Sequence, residues 1–176
     1  RYLQAEGPRL RPYQPLDPRQ QRLWQRLKRR ATLVRATTQL QASLGDLGPE
    51  ARDLLRHCRQ LQQRMARELL SLARQLGWGE TLTRCQAIPG IGPLTAVGLV
   101  AAYHRGSFCY HDQFIAFLGM DVRVRDSGHF RGKRRLSKHG EPELRRLLYN
   151  AAMAACRHPL WQAYYQRLRT RLSGTA

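Results

Sequence analysis

The chain has 176 residues, 42% of them hydrophobic, which is enough to build a core and argues against an intrinsically disordered chain. Its 31 Lys plus Arg stand against 12 Asp plus Glu, a formal net charge of +19 that calls for a polyanionic partner, with nucleic acid the leading class. The basic residues are spread along the whole chain and are not gathered on one amphipathic helix, and no apolar run is long enough for a span, so a membrane partner is not expected.

Residues 1–16, RYLQAEGPRLRPYQPL, carry prolines and a glycine and read as a linker remnant of an upstream domain. Asp17 then caps a helix that has Pro18 at its first position, and Leu23, Leu27, Val34 and Leu40 recur at helical spacing to about Ser43. GDLGP at 45–49 breaks that pattern. Pro49 opens a second helix in which Leu54, Cys58, Leu61, Met65, Leu69, Leu72 and Leu76 recur at steps of three or four. Residues 17–77 are therefore expected to form an antiparallel helical hairpin of coiled-coil type, a candidate spacer or dimerisation arm.

Gly77 and Gly79 are read as the end of that hairpin and 80–176 as a compact helical domain, so the fold class is mainly all-α. Within it, residues 82–103, LTRCQAIPGIGPLTAVGLVAAY, have the pattern of a helix-hairpin-helix. Gly90 and Gly92 allow a tight turn, so that the amides at the start of the second helix can hold a phosphate with help from the helix dipole. A plain glycine turn between two core helices is the bland alternative. Further on, Asp112 is expected as a cap, Gly119 as a stop, and Phe114, Ile115, Phe117 and Leu118 as core. A short MDVRVR strand precedes a basic loop. Pro142 then opens a helix with Leu144, Leu147, Leu148 and Ala151 buried and Arg145 and Arg146 facing elsewhere, and a last helix starts near Pro159.

The loop RVRDSGHFRGKRRLSKHG, residues 123–140, is where chemistry would sit. Arg123, Arg125, Arg131, Lys133, Arg134, Arg135 and Lys138, with Arg145 in the next helix, are candidate phosphate contacts. Ser127, beside Gly128, and Ser137, beside Lys138, are both candidate nucleophiles and both ordinary turn residues, and the residues alone do not separate them. His129 and His139 are candidate acid–base groups or phosphate contacts. Cys58, Cys85, Cys109 and Cys156 lie far apart and read as reduced thiols, and the scattered carboxylates assemble no metal site.

Three segments in order, IPGIGPLTAVGLVA, FIAFLGMDVRVRDSG and RGKRRLSKHGEPELRRLLYNAAMAA, closely resemble the C-terminal domain of bacterial insertion-sequence transposases of the IS-one-ten/one-sixteen class. The resemblance is strong over about residues 82–156, and the basic helical pair before it looks like the coiled-coil insert of the same proteins. It implies a serine nucleophile directly before the glycine after FLG, here Ser127, with Ser137 in the S-K-x-G stretch left to binding or structural work. It also implies a RuvC-like N-terminal domain with four acids for magnesium, a structured guide RNA, DNA as substrate, homo-oligomers through the coiled coil, and a cytoplasmic, nucleoid-associated place. Those acids belong upstream, so this chain is expected to bind nucleic acid with no cofactor of its own and to transfer little or no DNA alone. One departure is MDVRV where the family commonly has a proline. The rival reading is a non-catalytic helix-hairpin-helix module whose binding needs neither serine. A purely structural dimeriser explains the leucines and not the loop.

Overall fold

The structure, a computed structural model, describes residues 15–44, 48–124, 126–132 and 134–171, with the backbone alone at Phe130 and Arg131. The expected linker falls almost wholly outside these residues, as do Arg125 and Lys133. Helix α1 spans Pro18–Leu44 and α2 spans Pro49–Gln75. Asp17 starts α1 as its residue type predicts: its Oδ1 accepts the Arg19 amide at 2.7 Å, next to Pro18, which has no amide to satisfy. Partners descend along α2 as they ascend along α1, which makes the helices antiparallel. Arg26 pairs with Glu68, Gln62 Nε2 donates to Thr37 Oγ1 at 2.7 Å, and Arg59 Nη2 donates to Gln41 Oε1 at 3.1 Å.

The predicted leucine stripe of α2 is only partly buried. Leu69 is fully buried, while Leu54 and Leu61 are exposed, and Ala51, Leu55 and Ala73 are the other buried apolar positions of the helix. The reason is the location of the core. It lies at the open end of the hairpin, where Leu23, Trp24 and Leu27 of α1 and Leu69 and Ala73 of α2 meet the rest of the chain. Away from that end only two helices are available, and two helices cannot enclose a full apolar stripe.

Gly77, at φ +79°, closes α2. Its amide bonds the Arg74 carbonyl at 2.9 Å, and that of Trp78 bonds the Ala73 carbonyl at 3.1 Å, a Schellman closure that turns Trp78 into the core. Gly79 does not stop this helix, contrary to the sequence reading; it opens α3, Gly79–Gln86. Helix α4, Pro93–Tyr103, is apolar on almost every side, as a helix enclosed by others must be. It packs against α1, α2, α3 and α6 (Pro142–Ala155). At Gly98 an added methyl would press on Leu144 and Leu147 of α6, at 3.0 and 3.2 Å, so the missing side chain lets the two helices approach.

The same α6 carries a buried charge. Glu143 accepts two bonds from Arg146, from Nε at 2.7 Å and Nη2 at 2.6 Å, which holds the Arg146 pKa above its ordinary value. Arg146 is thus half-buried and engaged, where the sequence reading turned it away from the core. Arg30 of α1 is pushed down by burial, opposed by the Glu143 charge, and bonds the Gln62 carbonyl at 3.2 Å. Helix α5 is His111–Phe117 and α7 is Pro159–Arg171. The N-cap of α5 is Tyr110, and Asp112 stands inside the first turn without capping it. Ile115 and Phe117, expected in the core, are exposed, because α5 lies over the core edge; Phe114 is half-buried against the core, and Leu118, just past the helix, is buried. Four two-residue strands complete the described residues, more than the single one expected.

His104, at the end of α4, stacks on Trp78 with ring centroids 4.5 Å apart, and burial lowers its pKa from 6.5. Below about pH 6.5 the unfolded chain therefore binds the proton more readily than the folded one. Because His104 is largely exposed, solvent screening keeps the effect small, and thermal melts should show only a slight loss of stability as the pH drops through 6.5. His104→Phe keeps a stacked ring and should lessen that loss.

Candidate nucleic-acid interface

The segment between α5 and α6 is a closed loop whose ends touch through glycines. Helix α5 ends in a Schellman closure: the Gly119 amide bonds Ala116 O at 2.8 Å and the Met120 amide bonds Ile115 O at 3.1 Å, with Gly119 at φ +70°. Any Cβ on Gly119 would run into the backbone of His139 and Gly140, and one on Gly140 would overlap the carbonyls of Phe117 and Leu118. Glycine at both positions is thus a condition of the crossing. Lys138, the only positive-φ residue among the described non-glycines at +57°, completes it by bonding the Gly119 carbonyl through its amide at 3.1 Å.

Inside this crossing the two arms pair. Strand β1, Val122–Arg123, runs antiparallel to β4, Arg135–Leu136, with Arg123 directly opposite Arg135. Both arginines are exposed and neither has a carboxylate partner among the described residues. Like charges in direct register oppose pairing. Ser137 secures the ribbon instead: its amide bonds the Asp121 carbonyl at 2.9 Å and its hydroxyl donates to the Asp121 carboxylate.

Beyond the ribbon, β2, Asp126–Ser127, pairs with β3, Phe130–Arg131, around the two-residue turn Gly128–His129. Gly128, at φ +54°, stands at the first turn position, where such hairpins favour glycine. Asp126 ties the hairpin base, its Oδ1 accepting the Gly132 amide at 3.2 Å and its Oδ2 an Arg134 Nη2 at 2.8 Å. Ser127 is exposed at the last position before the turn, and its hydroxyl has no hydrogen-bond partner among the described residues. The two serines thus differ: Ser137 is half-buried and bonded, and Ser127 is presented outward.

The candidate contacts divide in the same way. Arg123, Arg135 and Lys138 are exposed, Arg134 is engaged by Asp126, and Arg145 is half-buried and donates to the Gly140 carbonyl. Gly92 is the N-cap of α4, with open space around it and no side chain capping the helix. Gly90, at φ +95°, lies against α6, where a Cβ would overlap the Ala151 carbonyl, so its immediate work is packing. An open cleft of about 410 Å³ beside the crossing was not anticipated; Trp24, Lys28, Arg105, Phe117, His139 and Glu141 line it. Arg105 covers the Trp24 ring at 4.5 Å and Lys28 reaches Glu141 at 3.8 Å. These residues are distant in sequence, so no spacing could have signalled them. Among the described residues no group of three His, Cys, Asp or Glu side chains is placed to hold a metal ion.

Residues 82–166 match the family model described as Transposase IS116/IS110/IS902 family. A curated relative, "Transposase for insertion sequence element IS1111A" from Coxiella burnetii (strain RSA 493 / Nine Mile phase I), is 36% identical over 85 residues, covering 45% of this chain and 22% of that protein. The match thus spans about a fifth of that relative's length. No helix among the described residues is long and apolar enough to cross a membrane.

Thermal denaturation should separate the two serines. Ser137→Ala leaves the Asp121 carboxylate without its donor and should cost about 1–2 kcal/mol, whereas Ser127→Ala should stay within about 0.5 kcal/mol of the parent.

Proposed function

We propose, from the match of residues 82–166 to the IS116/IS110/IS902 transposase family, that this chain is the DNA-gripping part of a transposase and carries the serine nucleophile, Ser127. The observation that carries the reading is the exposed Arg123–Arg135 cross-strand pair at the base of the hairpin that presents Ser127. Two guanidiniums in register, with no carboxylate partner among the described residues, oppose their own strand pairing, and a DNA phosphate between them would relieve that repulsion. Lys138 and the uncapped start of α4 behind Gly92 add further positive potential for the backbone.

On this reading the Ser127 hydroxyl gives up its proton and its oxygen attacks a backbone phosphorus. A serine–phosphorus ester forms, the bond from phosphorus to the 3′ oxygen breaks, and that oxygen takes up a proton as a free 3′ hydroxyl, which later rejoins DNA. The arginines hold the phosphate and offset charge on its oxygens. Among the described residues nothing bonds Ser127 as a base, which fits a site completed from elsewhere in a longer protein. The same resemblance would place magnesium on acids of a RuvC-like domain, bring in a guide RNA, and make the α1–α2 pair an oligomerisation arm.

Two measurements test this. In duplex binding, Arg123→Gln and Arg135→Gln should each reduce the slope of log affinity against log salt by about 1; unchanged slopes would remove the ribbon from the interface. In the longer protein with its RuvC-like domain, supplied with target DNA and guide RNA, a covalent protein–DNA product should form and Ser127→Ala should abolish it. A product that survives this substitution would contradict the nucleophile. Unaltered DNA affinity in both serine variants, with no covalent product under any condition, would favour a non-catalytic helix-hairpin-helix module.

A further inference from the structure

Helix α7, Pro159–Arg171, has no buried residue along its thirteen positions. Even so it carries Leu160, Trp161, Tyr164, Tyr165 and Leu168, which fall on one face at helical spacing. Leu160 is 73% exposed, Trp161 41% and Tyr164 51%. Every charge on the helix is positive: Arg167, Arg169 and Arg171, with no acid. The Arg167 guanidinium lies 5.9 Å from the Tyr164 ring centroid, so cation and ring already share a surface.

Tyr165 and Leu168 are half-buried, while Leu160, Trp161 and Tyr164 stay open to a partner, and charge selects the occupant. A second copy would bring another +19 chain against an all-positive helix. A polyanion suits the arginines, and flat rings suit bases. In a duplex the base faces are stacked on one another and closed to protein rings, so the ligand must have unpaired bases. We propose that α7 is a stacking platform for single-stranded DNA, with Trp161 and Tyr164 under successive bases and Arg167 on the backbone. This rests on the transposase reading, because cutting and rejoining DNA exposes unpaired strands; it adds a surface separate from the arginine ribbon.

The test uses the whole chain and fluorescence anisotropy with labelled oligo-dT, oligo-rU and a mixed-sequence duplex. Trp161→Ala/Tyr164→Ala removes no buried group, and a melt should confirm the fold. The dissociation constant for oligo-dT should rise roughly tenfold or more, as expected for lost stacking, while that for the duplex stays within about twofold, since phosphate contacts elsewhere carry it. An unchanged oligo-dT affinity would overturn the proposal and leave the transposase reading standing if the duplex still binds. A parent chain that binds neither DNA would overturn both. Tighter binding of oligo-rU than oligo-dT, lost in the double variant, would reassign the face to RNA. Concentration-dependent association of the parent that the double variant abolishes would make the face an interface between copies; either result contradicts the single-stranded DNA assignment.

Discussion

The contact between the backbones at Gly119 and Gly140 is the constraint on which the candidate site depends. Neither position has room for a Cβ, and Gly119 also needs a left-handed backbone. Their crossing converts the stretch between α5 and α6 from a long open loop into a closed one. The entropy of bringing its ends together is then offset by packed backbone and not by side chains that would have to be apolar. That leaves the loop's own side chains available to be basic. The pairing of β1 with β4, the bonds from Ser137 to Asp121 and the hairpin with Ser127 near its tip all follow from arms held in register at the crossing.

What holds the crossing in place is the core around α4. This helix is buried on most sides, and its small residues let α6, which follows the basic loop, lie close against it, while α5, which precedes the loop, meets it through Phe114 against Tyr103. The base of the α1–α2 pair joins the same core, and the buried Glu143–Arg146 pair fixes the first turn of α6. Under the proposed function, a loop gripping a charged backbone gains from such a scaffold, because binding energy is not then lost in ordering it. The strong positive charge works the other way: it destabilises the free protein by self-repulsion, most directly at Arg123 and Arg135. A polyanion would turn that cost into affinity.

The helices were legible in the sequence because their punctuation is chemical: Asp17–Pro18, Pro49, Gly77, Pro93, Gly119, Pro142 and Pro159 each mark an end through a fixed φ, a missing amide or a left-handed turn. Features set by tertiary distance were not. Ile115 and Phe117 are apolar at helical spacing, yet exposed, because α5 sits at the core's edge. Asp112 is a good capping residue two positions past the N-cap, too late to cap. Leu54 and Leu61 continue a leucine stripe past the point where a third helix is available to cover it. The site showed the same limit. Composition identified a basic loop but could not separate Ser127 from Ser137, and a resemblance was needed to choose. The structure supplies a physical difference between them, one hydroxyl bonded to Asp121 and the other exposed beside a turn glycine. The glycine crossing was unreadable for the same reason: FLG and SKHG are far apart in the chain, and nothing in either announces the other.

If that crossing organises the loop, breaking it must release the ribbon as a unit. Hydrogen exchange on Gly140→Ala, compared with the parent, measures this residue by residue. The amides of Arg123, Arg135, Ser137 and Lys138 should lose protection together while those of α4 keep theirs. A ribbon that stays as protected as in the parent would contradict the claim that the glycine contact builds the site.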